Sequence, residues 1–233
     1  NETDTYSQYW LQDGQWKLTY PKIEIATTMT GWTGDTDDYS YNSTLNGIEQ
    51  NTTSGSEAII KSFDTPLSKD DAWVMRFSWK MNSDSSDDSA NLSITSSEGT
   101  SQLTRAQAGN YAYGILIYLA NWNGSRSEAN YGVYTSSYGW GGLPYSEWVL
   151  GDVEPDETFY YEIVHTNNES ITVSMYSDST YSTLVGSETR NDDSATLGQT
   201  WDYTQLMLQT RGSSTRNHNT FFNFQIKRGV TSW

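Results

Sequence analysis

Two histidines, His165 and His218, are the only side chains in the sequence whose ordinary pKa lies near neutrality. Either could act as base for a serine nucleophile, but the chain has no Gly-x-Ser-x-Gly elbow to present one. His165 ends an alternating run at the parity of Phe159, Tyr161 and Ile163, which predicts a packed ring rather than a base. His218 falls in the polar stretch Arg211 to Asn219 and is expected in an exposed loop. The absence of cysteine excludes thiolate metal sites, thiol nucleophiles and disulfide chemistry. With two histidines and no cysteine, zinc and copper sites are not expected.

Hard cations are another matter. Asp35-Thr36-Asp37-Asp38 and Asp84-Ser85-Ser86-Asp87-Asp88 both place carboxylates densely in polar segments. Calcium takes six to eight oxygens, which alternating Asp can begin to supply, with backbone and Asn carbonyls completing the shell. Of the two, Asp35, Asp37 and Asp38 are the better calcium candidates, because Gly34 before them and Asn42 after them suit a wrapped loop. The competing reading is a solvated acidic turn, and neither segment matches an EF-hand.

Aromatic side chains concentrate where glycines allow them to stand out. Trp122, Tyr131, Tyr134, Tyr138, Trp140, Tyr145 and Trp148 share one stretch with Gly139, Gly141 and Gly142. Sugars present apolar C–H faces ringed by hydroxyls, so exposed rings flanked by Asn, Asp and Ser suit carbohydrate binding. The competing reading is a small satellite core of the same rings. Six Asn-x-Ser/Thr triplets begin at Asn1, Asn42, Asn51, Asn91, Asn123 and Asn168. Each is an N-glycan acceptor if the chain passes through a glycosylating export route, although a chain this rich in Asn, Ser and Thr produces some by chance.

The elements that position these groups are strands. The chain has 233 residues, 10 Trp and 17 Tyr, with a net charge of −16 and hydrophobic residues at 35%. Such aromatic content argues against disorder, and the length suits one large domain. Net acidity without a basic patch argues against nucleic acid, and the longest apolar run, Ile115 to Ala120, is far too short to cross a membrane as a helix. Trp73, Met75, Phe77, Trp79 and Met81 alternate with Val74, Arg76, Ser78 and Lys80, as a half-buried antiparallel strand requires. Tyr113 to Ala120 reads as a central strand. Phe159 to Ile163, Ile171 to Met175 and Phe222 to Ile226 alternate too, and shorter strand candidates include Trp16 to Tyr20, Ala58 to Phe63, Tyr181 to Val185 and Gln205 to Gln209. About a dozen strands joined by Gly, Asn, Asp and Ser turns predict an all-β sandwich of two antiparallel sheets. One domain over residues 1–233 is expected, with 1–30 a possible N-terminal strand arm and the polar Gly31 to Gly55 stretch separating it from the body. The chain begins with Asn1 rather than Met, which is read as a mature, secreted form.

The order of these pieces resembles the concanavalin A-like lectin/glucanase superfamily in its laminin-G-like form. The resemblance rests on Ser56-Glu-Ala-Ile-Ile-Lys-Ser-Phe63, Pro66 through Trp79, Thr158-Phe-Tyr-Tyr-Glu-Ile-Val164, Ile171-Thr-Val-Ser-Met-Tyr-Ser-Asp178 and Thr220-Phe-Phe-Asn-Phe-Gln-Ile226. Asp178 is followed by Ser179 where the family often has Gly, a departure at one turn. The resemblance covers roughly residues 56–229 and implies a jelly-roll sandwich whose concave face or loop rim binds glycans, frequently with a structural calcium. Glycosidases of this superfamily pair carboxylates as Glu-x-Asp-x-(x)-Glu on one strand, since retaining chemistry needs them about 5 Å apart. That pattern is absent; Glu154-Pro155-Asp156-Glu157 has the wrong spacing and reads as a turn.

Together these readings point to a non-catalytic, extracellular or cell-surface protein that binds glycans or serves in adhesion. The alternative is a self-assembling subunit of a filament, sheath or surface layer that uses its N-terminal strand to pair with copies of itself. A polysaccharide-degrading enzyme is the third class and lacks its motifs.

Overall fold

The structure is a computed structural model of the 233-residue chain. It describes residues 8–12, 15–19, 23–24, 28–34, 36–52, 58–82, 90–95, 114–120, 127–134, 148–166, 170–191, 202–210 and 217–233. The strands, in chain order, are β1 (Gln8–Gln12), β2 (Gln15–Thr19), β3 (Ile23–Glu24), β4 (Trp32–Gly34), β5 (Tyr39–Asn42) and β6 (Gly47–Thr52). They continue with β7 (Ala58–Leu67), β8 (Trp73–Met81), β9 (Ala90–Thr95), β10 (Gly114–Ala120), β11 (Ser127–Tyr134) and β12 (Trp148–Val153). The last are β13 (Thr158–His165), β14 (Ser170–Tyr176), β15 (Leu184–Asn191), β16 (Tyr203–Thr210) and β17 (Asn217–Arg228). A single 3-10 turn, Thr36–Asp38, is the only helical element among the described residues.

Two antiparallel sheets make the sandwich. One has seven strands in the order β12-β11-β10-β9-β16-β7-β4, the other seven on its main path in the order β15-β14-β13-β8-β17-β6-β5, with β3 added on β17 as an eighth. The all-β, two-sheet architecture expected from the alternating runs is the observed one. Alternation is cleanest in β13, where Phe159, Tyr161, Ile163 and His165 are buried and the intervening residues are not. In β8 the apolar set Trp73, Met75, Phe77, Trp79 and Met81 faces the core, but Val74 and Ser78 on the opposite face are also buried. β8 lies at the middle of its sheet between β13 and β17, where neighbouring side chains cover small ones. Trp73, Phe77, Trp79, Ile115, Ile163, Val173 and Phe224, which the strand patterns point inward, are all buried. Aromatic stacking organises this core: Phe77 lies 5.0 Å from Tyr161 and 5.7 Å from Phe224, centroid to centroid. Each such pair contributes about 0.5–1.5 kcal/mol beyond burial.

Three elements differ from the sequence reading. Gly31 to Gly55, read as a separator, carries β4 in the seven-stranded sheet and β5 and β6 in the other. Each strand has one buried apolar residue, Trp32, Tyr39 or Ile48, which is enough to seat three short strands. Tyr181 to Val185 is not one strand. Tyr181 sits in a turn with φ of 57°, and β15 begins at Leu184. His218 is not in a loop; β17 begins at Asn217 because β6 pairs with it from Thr52 onward.

A bulge between Phe222 and Gln225, with Asn223 at φ 56°, shifts the parity of β17. Phe221 and Phe224, three residues apart, therefore both enter the core. Tyr39 of β5 crosses the sandwich: its hydroxyl donates to the Leu208 carbonyl on β16 at 3.2 Å and accepts from Gln50 Nε2 at 2.7 Å. Beside them, buried Asn219 accepts from Trp79 Nε1 at 3.0 Å. These polar groups are buried with partners, as low-dielectric interiors require.

Candidate functional site

Of the aromatic candidates, Trp122, Tyr138, Trp140 and Tyr145 lie outside the described residues. Tyr131 and Tyr134 belong to β11, and Trp148 opens β12. The antiparallel register, adjusted by a bulge at Ala129/Asn130, puts Tyr131 directly opposite Trp148 on one side and Ile117 on the other. Tyr134 stands opposite Gly114. Two residues 17 apart in sequence thus become neighbours at the edge of the seven-stranded sheet.

Of the calcium candidates, Asp37 and Asp38 occupy the 3-10 turn, Asp37 exposed and Asp38 half-buried; Asp35 lies outside the described residues. Among the described residues no three His, Asp or Glu side chains converge as a cation would need. Two carboxylates fall well short of the six to eight oxygens calcium takes, so the described residues do not by themselves form a calcium cage. The Asp84 to Asp88 cluster is outside the described residues.

The triplets at Asn1, Asn123 and Asn168 are likewise outside, and Asn91 lies on β9. Asn42, at the end of β5, is already engaged: its Nδ2 donates to Glu49 Oε2 at 2.7 Å, and its Oδ1 accepts the Thr44 and Leu45 backbone N–H groups. Asn51, on β6, is exposed.

The histidines are both held. His165 is fully buried, stacked on Trp73 at 5.1 Å and 3°, with Nδ1 2.9 Å from the Asp71 carbonyl. His218 is half-buried, its Nε2 2.6 Å from Glu49 Oε1. Glu154 to Glu157 forms an exposed turn, as its proline requires, closed by the Glu157 N–H on the Glu154 carbonyl at 3.3 Å.

A further constellation escaped the sequence reading. On the face of the eight-stranded sheet away from the core, Arg76 of β8 and Glu162 of β13 stand opposite each other in register. Arg76 gives both Nε, at 2.7 Å, and a terminal nitrogen, at 2.6 Å, to the same oxygen, Glu162 Oε2. The Tyr181 ring lies 3.9 Å over the guanidinium, and the Trp233 ring 5.0 Å from it. Lys227 Nζ is 4.4 Å over Trp233 from β17. Tyr160 and Tyr176, register partners on β13 and β14, meet Tyr181 edge-on at 6.0 and 5.4 Å. Burial pushes the Tyr181 hydroxyl up to about 12, so it is a neutral donor throughout the physiological range.

Asp178 holds Tyr181 there. Its carboxylate accepts the Thr180 hydroxyl and the backbone N–H groups of Thr180, Ser182 and Thr183. The Thr180 hydroxyl first, and then the backbone donors, keep that carboxyl well below the usual range against the opposing effect of desolvation. A positive φ costs a non-glycine residue energy, and here the turn's hydrogen bonds impose it. The opposed charges of Arg76 and Glu162 on outward parities were the one signal in the sequence; Tyr181 and Trp233 arrive from segments with no periodic tie to them.

No family model matches the sequence, and neither does any curated protein. Solved structures do. The globular domain of T. cruzi calreticulin matches with a TM-score of 0.59 and 12% identity, over 92% of this chain and 88% of its own. Winged bean acidic lectin, solved with methyl-alpha-D-galactose, matches with a TM-score of 0.60 and 9% identity, over 91% of this chain and 99% of its own. The exoplasmic/lumenal domain of VIP36, in a form bound to Ca2+ and Man3GlcNAc, matches with a TM-score of 0.59 and 13% identity, over 91% and 89%. At these identities the likeness is one of fold, and the fold is that of the concanavalin A-like lectins.

Proposed function

We propose that this protein is a non-catalytic, glycan-binding β-sandwich that works outside the cell or at its surface. The observation that carries this reading is the pairing of Tyr131 with Trp148 at a sheet edge of a lectin fold, which sets two positions of the aromatic segment opposite each other. Two of the solved proteins of similar fold were captured with sugars. Rings flanked by hydroxyl and amide groups desolvate cheaply against a sugar's C–H face while its hydroxyls keep polar partners. Non-catalysis is supported by the fixed environments of His165 and His218 and by the outward, turn-bound Glu154 and Glu157. Binding to an array of immobilised glycans tests the reading. Trp140→Ala is expected to weaken the bound glycan by about 1–3 kcal/mol without lowering the melting temperature. If Trp140→Ala unfolds the domain, the ring belongs to the core and the reading loses its basis. Incubation with common polysaccharides should produce no chain shortening.

One observation favours a second reading, assembly with copies of itself. β1 and β2 form a two-stranded sheet of their own, with Tyr9 opposite Leu18 and Leu11 opposite Trp16, so four apolar positions share one face. A two-stranded ribbon is marginal alone, and such a strand can add to a neighbour's sheet edge. The arm's inner end, β3, pairs with β17 of its own chain. Deleting Asn1 to Tyr20 should abolish any polymer seen by size exclusion or electron microscopy while leaving glycan affinity intact.

A further inference from the structure

We propose that the outer face of the eight-stranded sheet, centred on Tyr181, is a second saccharide-binding site, for a neutral, hydroxyl-rich sugar. It shares ligand chemistry with the glycan-binding reading above but lies on the other sheet and uses none of the same residues.

The face carries unfilled hydrogen-bonding capacity. Arg76 spends two nitrogens on a single oxygen of Glu162, which leaves Oε1 of that carboxylate with no partner among the described residues. The Glu162 side chain is 13% exposed, so the carboxylate is half-buried yet reachable. Around it, the hydroxyls of Tyr160, Tyr176 and Tyr181 and the indole N–H of Trp233 have no hydrogen-bond partner among the described residues either. Lys227 is met by the Trp233 ring and by no carboxylate there. A half-buried carboxylate, phenol hydroxyls and aromatic rings gathered on one sheet face are what a pyranoside needs: acceptors and donors for its hydroxyls, and planes for its C–H faces.

Charge selects the class of sugar. A chain at −16 repels anions, and the one open oxygen at the centre is itself anionic, so even with Lys227 at the margin over Trp233 an acidic saccharide would meet repulsion where a hydroxyl would donate. Asn or Gly would occupy φ 57° at less cost than Tyr, and the Tyr found there lays its ring over Arg76.

The test measures binding of neutral polymers of glucose, mannose and galactose, and of uronic-acid polymers, to the full chain and three variants. Tyr181→Asn removes the ring in a residue that tolerates the turn, Trp233→Ala removes the second ring at the chain's end, and Trp140→Ala is the comparison. At least one neutral saccharide is expected to bind, about tenfold or more weakly to Tyr181→Asn and to Trp233→Ala, with melting temperatures unchanged. Trp140→Ala should retain that ligand. Unchanged affinity of both Tyr181→Asn and Trp233→Ala for every ligand overturns the proposal, as does binding confined to the uronic-acid polymers. Binding lost only in Trp140→Ala overturns this site and leaves the aromatic-segment reading standing. Binding lost only in Tyr181→Asn and Trp233→Ala does the reverse.

Discussion

Gly186 on β15 lies so close to Leu150 on β12 that a Cβ on the glycine would stand 1.8 Å from the Leu150 carbonyl oxygen. The two strands are edges of opposite sheets, and their contact closes one side of the sandwich. The obstacle is backbone rather than a movable side chain, so any residue but glycine must push the sheets apart. Gly186→Ala should cost about 1–3 kcal/mol or more, as overpacking does, read as a lower midpoint in urea. An unchanged midpoint would mean that the two edges do not approach this closely.

The opposite flank is tied by polar groups. Gln50 donates to Tyr39, whose hydroxyl reaches the Leu208 carbonyl in the other sheet. Gln50→Leu keeps the volume but removes the donor, which leaves the Tyr39 oxygen one partner short in a buried site. A loss of about 1–3 kcal/mol is expected. Tyr39→Phe with Gln50→Leu should recover part of it, because removing both partners leaves less unsatisfied. A double-mutant cycle in urea reads the coupling directly; an additive result would show that the pair is not linked.

What the sequence made legible was periodic. Residues 73–81 and 158–165 alternate over whole strands, and their buried parities are the observed ones. In β17 the parity of Phe224 and Ile226 was legible, but the bulge at Asn223 puts Phe221 rather than Phe222 on the same side, and period-2 reasoning cannot see an inserted residue. β4, β5 and β6 were hidden because each contributes only one or two buried apolar residues in a polar segment. Tyr181 was misplaced because the Asp178 carboxylate takes the N–H groups that a strand would have given to a neighbour. The outer-face cluster joins positions 76, 162, 181 and 233, which only the sheet register and two turns bring together. No local pattern encodes that.

Melting with and without chelator addresses calcium. Asp37 and Asp38 bring two carboxylates to one short turn, and an ion held by them alone would be weakly bound. A native-state ligand at a hundredfold excess over its Kd adds about 2.7 kcal/mol, which a melt detects easily. The expected outcome is a midpoint unchanged by chelator at micromolar calcium. A clear drop would place a saturated site in this protein, and Asp37→Asn with Asp38→Asn would then show whether the turn forms it.

Acid should act through Asp178. Its folded carboxyl is held below the ordinary aspartate value of about 4, chiefly by the Thr180 hydroxyl and the turn's backbone donors. A depressed folded pKa means the unfolded chain takes up the proton first as pH falls. The stabilisation from this carboxylate is therefore complete above about pH 5, fades as pH drops through the ordinary aspartate range, and is gone below the folded value. Asp178→Asn should lower stability by a constant amount above about pH 5 and lose less than the native chain between about pH 5 and pH 2. Urea midpoints across that range read the difference. Curves that run parallel down to pH 2 would show that Asp178 titrates alike in both states, and that the Tyr181 turn is held by something other than its charge.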